Sequence, residues 1–252
     1  MQLVFGIGAL WATRTDVAGV GPQQFAILQE NSIDFSFEIK ELYSQYGFPV
    51  DIARAKGKIT GKAKFARVFG ALYANIFFGE NNPTSGETTV SQDELATITT
   101  GNAAALAVSI TGTAWVADLG VYYNTSSRIR FVYTTGTPTA AGQYTSLGGG
   151  TYKFYTGDVG QVIAISYVYT DATGFNFTIN NHFMGFTPTF SCTLYQNRTT
   201  LGGVGKLTLR LNECTSNRFS LPSRLDDYAI PDFDFSAFAD GTNTVGTLST
   251  TE

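Results

Sequence analysis

Ile52–Phe65 reads IARAKGKITGKAKF, and its two interleaved sets of side chains decide the fold. Ala53, Ala55, Gly57, Ile59, Gly61, Ala63 and Phe65 alternate with Arg54, Lys56, Lys58, Thr60, Lys62 and Lys64. Successive side chains of a strand point to opposite faces, so this is a long strand with one packed face and one cationic, hydrated face. Alone it would leave a row of unpaired backbone groups, so it needs neighbours. The preceding segment supplies one, because Ile33, Phe35, Phe37 and Ile39 alternate with Asp34, Ser36, Glu38 and Lys40. Between the two lies LYSQYGFPV, whose Gly47 and Pro49 are turn residues. Residues 23–66 therefore predict one large amphipathic hairpin.

A second such hairpin is predicted at 185–213. Phe186, Phe190, Cys192 and Leu194 alternate with Thr187, Thr189, Ser191 and Thr193. Leu207, Leu209 and Leu211 alternate with Lys206, Thr208, Arg210 and Asn212, and QNRTTLGGVG joins the two runs. Between the hairpins, residues 88–170 hold short β-like runs (AALAVSI, AWVADLGVYY, RIRFVY, GTYKFYT, VIAISYVY) broken by turn residues, as in an antiparallel sandwich or meander. Gly148–Gly150 reads as a tight turn, since no Lys-Ser or Lys-Thr follows it.

One helix is predicted at 66–79, where Val68, Phe69, Leu72 and Ile76 share a face and Gly79 is a stop. Gly70 costs it about 1 kcal/mol relative to alanine, so packing must hold it. GENNPTSGETT, from Gly79, reads as a loop. Residues 1–22 and 217–252 read as arms. The first contributes Trp11. In the second, Asp226, Asp227, Asp232, Asp234 and Asp240 are interleaved with Tyr228, Ile230, Phe233, Phe235 and Phe238, while Pro222 and Pro231 oppose a helix. Trp11, Phe233, Phe235 and Phe238 are the candidate anchors by which the arms dock on another surface. The last ten residues read as loosely held.

With 252 residues the chain can bury about 70% of its unfolded surface, enough to fold without disulfide staples. A net charge of −4 argues against a general nucleic-acid binder and leaves room for a local basic stripe. Cys192 and Cys214 read as buried, reduced thiols that adjacent strands could place side by side. The apolar run from Leu3 to Trp11 has no basic segment before it and is too short for a membrane span, so an untargeted, intracellular protein is expected. The sequons at Asn124, Asn176 and Asn197 then carry no meaning.

Signals for chemistry are sparse. His182 is the only histidine, which removes any two-histidine metal site, and NNHFMGF forms no nucleophile elbow, so it reads as a surface or packed histidine. Asp226-Asp227 lies within an arm and reads as structural, and DELAT at Asp93 lacks the alternating ligands of a calcium loop. Neither catalysis nor a cofactor is expected. The basic face from Arg54 to Lys64 is the strong charge signal. Its bland reading is a solvated strand with lysines guarding an edge.

Several blocks together carry a resemblance: VFGIGALWATRTDVA, IDFSFEIKELYSQYGFPVDIARAKGKITGKAKFA, NHFMGFTPTFSCTLY, LTLRLNECTSNRFSLP and DDYAIPDFDFSAFADG. They are similar to tail tube proteins of long-tailed bacteriophages over about the first 80 and last 70 residues. The middle, with LGVYY and ISYVYT, resembles a β-rich phage structural segment less specifically. The resemblance implies a mainly β, tail-tube-like sandwich spanning 1–252 as one domain. Two amphipathic hairpins would contribute to an inter-subunit barrel, with one packing helix behind it and arms at both ends. It further implies six-membered rings that stack into a conduit for DNA, without sequence-specific binding and without a membrane. Partners would be further copies and other tail proteins such as the tape measure and tail terminator. The place would be the virion tail, assembled in the host bacterial cytoplasm.

On that reading Asp34, Glu38, Lys40, Arg54, Lys56, Lys58, Lys62, Lys64, Lys206 and Arg210 face the lumen or a neighbouring subunit. A strongly positive wall would hold DNA by its phosphates, so part of the Arg54–Lys64 row is expected to pair with carboxylates. Candidates are Asp34 and Glu38 across the hairpin, or the acidic tail of a neighbour. Competing readings are a capsid decoration or head-tail connector protein, and a carbohydrate-binding β-sandwich with Trp11, Trp115 and the tyrosines as platforms.

Overall fold

The computed structural model describes residues 8–67, 69–80, 84–99, 106–107, 114–200, 203–223, 225–226, 228 and 230–251. Val68, Asp227, the apolar run before Gly8 and most of AALAVSI lie outside them. In chain order the elements are β1 (Ala9–Arg14), β2 (Gln23–Phe25), β3 (Leu28–Tyr43), β4 (Pro49–Phe65), α1 (Gly70–Leu72, continuing as a π-helix over Tyr73–Phe78), β5 (Thr84–Thr97), β6 (Leu106–Ala107), β7 (Ala114–Tyr123), β8 (Val132–Tyr133), β9 (Gln143–Gly148), β10 (Thr151–Phe154), β11 (Val162–Asn176), β12 (Phe190–Thr200), β13 (Gly203–Ser220), β14 (Asp232–Phe238) and β15 (Gly246–Thr250). The protein is mainly β, and among the described residues no helix is long and apolar enough to cross a membrane.

Two compact units divide the chain. Residues 84–176 form one, with sheets β5-β11-β7 and β6-β10-β9-β8 sharing a core that includes Phe131, Tyr144, Tyr152, Phe154 and Ile165. All its ladders are antiparallel except β8 with β9. AWVADLGVYY is β7 from end to end, and Gly149 and Gly150 turn β9 into β10. Carboxylates are stationed against core tyrosines. The Tyr144 hydroxyl donates to Asp118 Oδ2 at 2.6 Å, the Tyr123 hydroxyl to the buried Asp158 at 3.1 Å, and the Tyr167 hydroxyl to Glu94. Burial first, and then the neighbouring carboxylates, raise all three phenols above the ordinary tyrosine range.

Residues 1–83 with 177–252 form the other unit. Its strands run β2-β1-β12-β13-β14-β4-β3 in one open sheet, all antiparallel, with β15 also paired to β13. One face carries the core: Leu10, Phe65, Phe190, Leu211, Phe233 and Phe235, with Leu72, Tyr73 and Ile76 of the helical segment against it. Phe25 meets Phe65 edge-on at 5.3 Å, and Tyr73 lies 4.1 Å from Phe219. A fully buried side chain of this kind contributes about 2–3 kcal/mol.

Four expectations are corrected. The helical segment spans 70–78 rather than 66–79, and from Tyr73 onward it is π-type, the Gly79 N–H reaching back five residues to the Ala74 carbonyl. Gly79 does end it, at φ 73°, with the Phe186 ring where a Cβ would stand. The GENNPTSGETT loop is strand from Thr84. The second hairpin runs from Phe190 to Ser220, so Phe186 and Thr187 precede it. Finally, neither arm is free. β1 pairs β12, and the acidic-aromatic segment is an interior strand of its own chain's sheet, with β13 on one side and β4 on the other. Its Asp-Phe-Asp-Phe alternation is a strand pattern, and Pro231 stands just outside it.

β14 is fitted to β4 by a glycine. A methyl group on Gly61 would lie 2.1 Å from Cζ of Phe235, which is 1% exposed. Overpacking of a core site costs about 1–3 kcal/mol. Gly61→Ala should therefore lower stability in urea denaturation by that amount, and an unchanged midpoint would show that the ring has room to move.

Candidate functional site

Directly opposed residues of neighbouring strands share a face, so the registers of β3, β4, β14 and β13 define the polar side of the sheet rung by rung. Glu30, Lys64, Asp232 and Ser220 form one rung; Ser32, Lys62, Asp234 and Arg218 the next; Asp34, Thr60 and Ser236 a third; Ser36 and Lys58 a fourth. Lys64 Nζ donates to Glu30 Oε2 at 2.5 Å, and Arg218 Nη1 lies 3.9 Å from Asp234 Oδ2. The hydrogen bond to Glu30, and then its charge, raise the Lys64 pKa above the ordinary lysine range. Lys62, Lys64, Arg218, Glu30, Asp232 and Asp234 line one cleft of about 170 Å³. Of the expected pairing between the lysine row and carboxylates, Lys64 forms one ion pair, with Glu30 rather than Asp34 or Glu38, and Asp232 and Asp234 of the same chain stand opposite Lys64 and Lys62 in register.

Arg54 leaves this row. Phe37 opposes Gly57, but Ile39 opposes Arg54, so β4 spends one extra residue between those pairs. Such a bulge breaks the alternation of the strand that carries it. Arg54 consequently shares a side with Ile39, and its guanidinium sits 5.0 Å from the Phe37 ring centroid. β3 alternates without interruption there, so Glu38 and Lys40 stay on the side of Asp34, with Lys56 inside the irregular step. Lys206 and Arg210 point away from the core, on the opposite side of β13 from Leu209 and Leu211, and neither forms an ion pair with a described residue.

Beyond Ile59 the β3–β4 hairpin outruns its own core. From residue 34 to residue 58 both strands are exposed on both faces, a ribbon roughly 30 Å long. On the core side it carries Phe35, Phe37, Ile39 and Ile52, each more than 50% exposed. Phe48, at 84% exposure, marks its tip. The strip is continuous with an apolar groove of about 340 Å³ lined by Phe35, Ile59, Leu209, Leu211, Val245 and Leu248. β3 is an edge strand along its length.

Three of the four anchors expected to dock elsewhere are held within the chain, and Phe238 is not. Phe233 and Phe235 are buried in its core, Trp11 is half-buried in β1 opposite Gln24 and Thr193, and Phe238 is 43% exposed beside Glu213. Trp115 donates to the Tyr152 hydroxyl at 3.2 Å and packs against the core of its unit, so it is not a free platform for a sugar. His182 stacks on Phe186 at 3.9 Å and bonds Glu80 at 3.1 Å. Burial alone would raise the Glu80 carboxyl, but hydrogen bonds from Asn180 and His182 hold it below the ordinary range. Cys192 and Cys214 are free and buried; burial drives the first thiol upward and the second to about 12. Among the described residues no group of three His, Cys, Asp or Glu side chains has metal-holding geometry. Compared with known proteins, the sequence matches no family model and no curated protein.

Sequence reasoning missed Glu30, Asp232, Asp234 and Arg218 as members of the polar face. The alternation at 232–235 was the signal for the two aspartates. Asp240, which follows β14, ties the approach to β15: its carboxylate accepts from the Thr242 hydroxyl at 2.7 Å, the Thr242 and Thr244 N–H groups, and Asn212 Nδ2 at 2.8 Å. Led by the Thr242 hydroxyl, these bonds pull its pKa down to about 2.

Exposed ion pairs contribute about 0–1 kcal/mol each, so Lys64→Gln should leave the urea midpoint nearly unchanged; a loss near that of a core substitution would show that the charged face holds the fold. A depressed carboxylate stabilises the folded state above its unfolded pKa of about 3.9. The Asp240 contribution should thus be complete at neutral pH and fall away as pH drops from about 4 toward 2. Asp240→Ala should lose protection of the 246–250 amides at pH 6 and flatten that acid dependence, as followed by hydrogen exchange.

Proposed function

We propose that the chain is the tube subunit of a long-tailed phage tail, a structural protein that assembles with copies of itself into stacked six-membered rings. The observation that carries this reading is the β3–β4 ribbon: a long, two-stranded overhang with an apolar strip and an edge that no other described strand pairs. Two strands alone are marginal in water, and a long exposed edge invites pairing with another chain. A ring closes such edges by repeating one heterologous contact until it meets itself. The ribbon then contributes to a barrel shared among subunits with β12–β13, and the polar face turns to the channel through which DNA leaves the virion. Among the described residues the sheet that holds the ribbon stays open, in keeping with a barrel shared among subunits.

Assembly takes place in the host cytoplasm and the product is part of the virion tail, where tape-measure and terminator proteins meet it. The test is electron microscopy of the purified chain beside Phe37→Ser/Ile39→Ser. Wild type should give stacked rings or tubes with a central channel. The double variant should remain dispersed with its melting temperature within a few degrees, since both side chains are exposed. Wild-type protein that stays monomeric at every concentration would overturn the reading.

A further inference from the structure

The polar face is balanced across its rungs rather than within each, successive rungs carrying opposite net charge. β14 places Asp232 opposite Lys64 and Asp234 opposite Lys62, and where β4 carries the uncharged Thr60 it places the uncharged Ser236. Arg218, on the other flank, opposes Asp234. Over the four rungs, four cations meet four carboxylates, and the two on β14 are what bring the sum to zero. Packing does not require them: the inward residues Phe233 and Phe235 do the packing, and a serine suffices outward at 236. Stability does not require them either, because exposed pairs of this kind contribute about 0–1 kcal/mol.

We infer that β14 is a charge-cancelling strand: Asp232 and Asp234 keep the Lys62–Lys64–Arg218 face from gripping the phosphates of duplex nucleic acid, so that a polyanion can lie along it without being held. The identity of that polyanion as DNA in transit rests on the tube reading above. The physics of the face is independent of it. Each phosphate neutralised by a lysine or arginine releases counterions and adds about 0.9 to the slope of log K against log salt. A cation already facing a carboxylate one strand away, about 4.8 Å, has little to release.

The test uses the full chain and a fluorescent duplex of about 20 base pairs, read by anisotropy from about 20 to 200 mM salt. Wild type should bind weakly with a shallow slope. Asp232→Asn/Asp234→Asn leaves two uncancelled positive charges per chain, and should bind at low salt with a slope steeper by about 1.8 per chain in contact. Adding Lys62→Gln and Arg218→Gln should return binding to the wild-type level, which a merely unfolded double variant would not do. Asp234→Asn alone should give about half the gain. Wild type that binds as tightly as the double variant, or variants that retain weak binding, would overturn the inference. Electron micrographs of the same samples score the tube reading separately, since absent tubes would count against that reading whatever the binding curves show.

Discussion

Seven residues, Asp232–Phe238, hydrogen-bond to β13 on one side and to β4 on the other, and in doing so make one sheet of two separate hairpins. The two faces of this strand serve different ends. Inward, Phe233 and Phe235 sit among Phe25, Phe190 and Gly61, where aromatic burial supplies most of the local stability. Outward, Asp232 and Asp234 stand between a lysine row and an arginine. Without the strand, β4 would lose a ladder partner, the core would lose two aromatic rings, and the polar face would carry surplus positive charge.

The length of β4 then creates an imbalance. β14 reaches only from Ile59 to Lys64, so the outer part of the hairpin has neither a third strand nor a core beneath it. Its core-side residues are nonetheless Phe35, Phe37, Ile39 and Ile52. Apolar strips of this kind mark surfaces that meet another molecule. The bulge between Gly57 and Arg54 adds a local change of twist and brings a guanidinium onto the Phe37 ring, so a cation is set within the apolar strip.

The period-two patterns of β3, β4, β12 and β13 were readable because each has one face buried for at least part of its length, and burial is what writes alternation into sequence. Gly79 was readable as a stop because a left-handed residue must end the helical segment. β14 was not recognised, although its pattern is as regular, because its two prolines and five nearby aspartates suggest an arm. A strand's place in a sheet depends on partners that can lie more than a hundred positions away, as β4 does from β14, and nothing in Asp232–Phe238 names Lys62. The β4 bulge was not legible either, since Ala55 and Lys56 are ordinary strand residues and Gly57 beside them falls in step with the alternation. Arg54 was accordingly assigned to the wrong side, and Glu30 and Arg218 were overlooked.

The central claim is that the β3–β4 ribbon is covered by a second copy of the chain. Amide hydrogen exchange over residues 34–58, compared between dilute and concentrated protein, addresses it directly. The account predicts fast exchange along the β3 edge in dilute solution and strong protection at concentrations where the chain assembles. Equal protection at both concentrations, or rapid exchange at both, would contradict it.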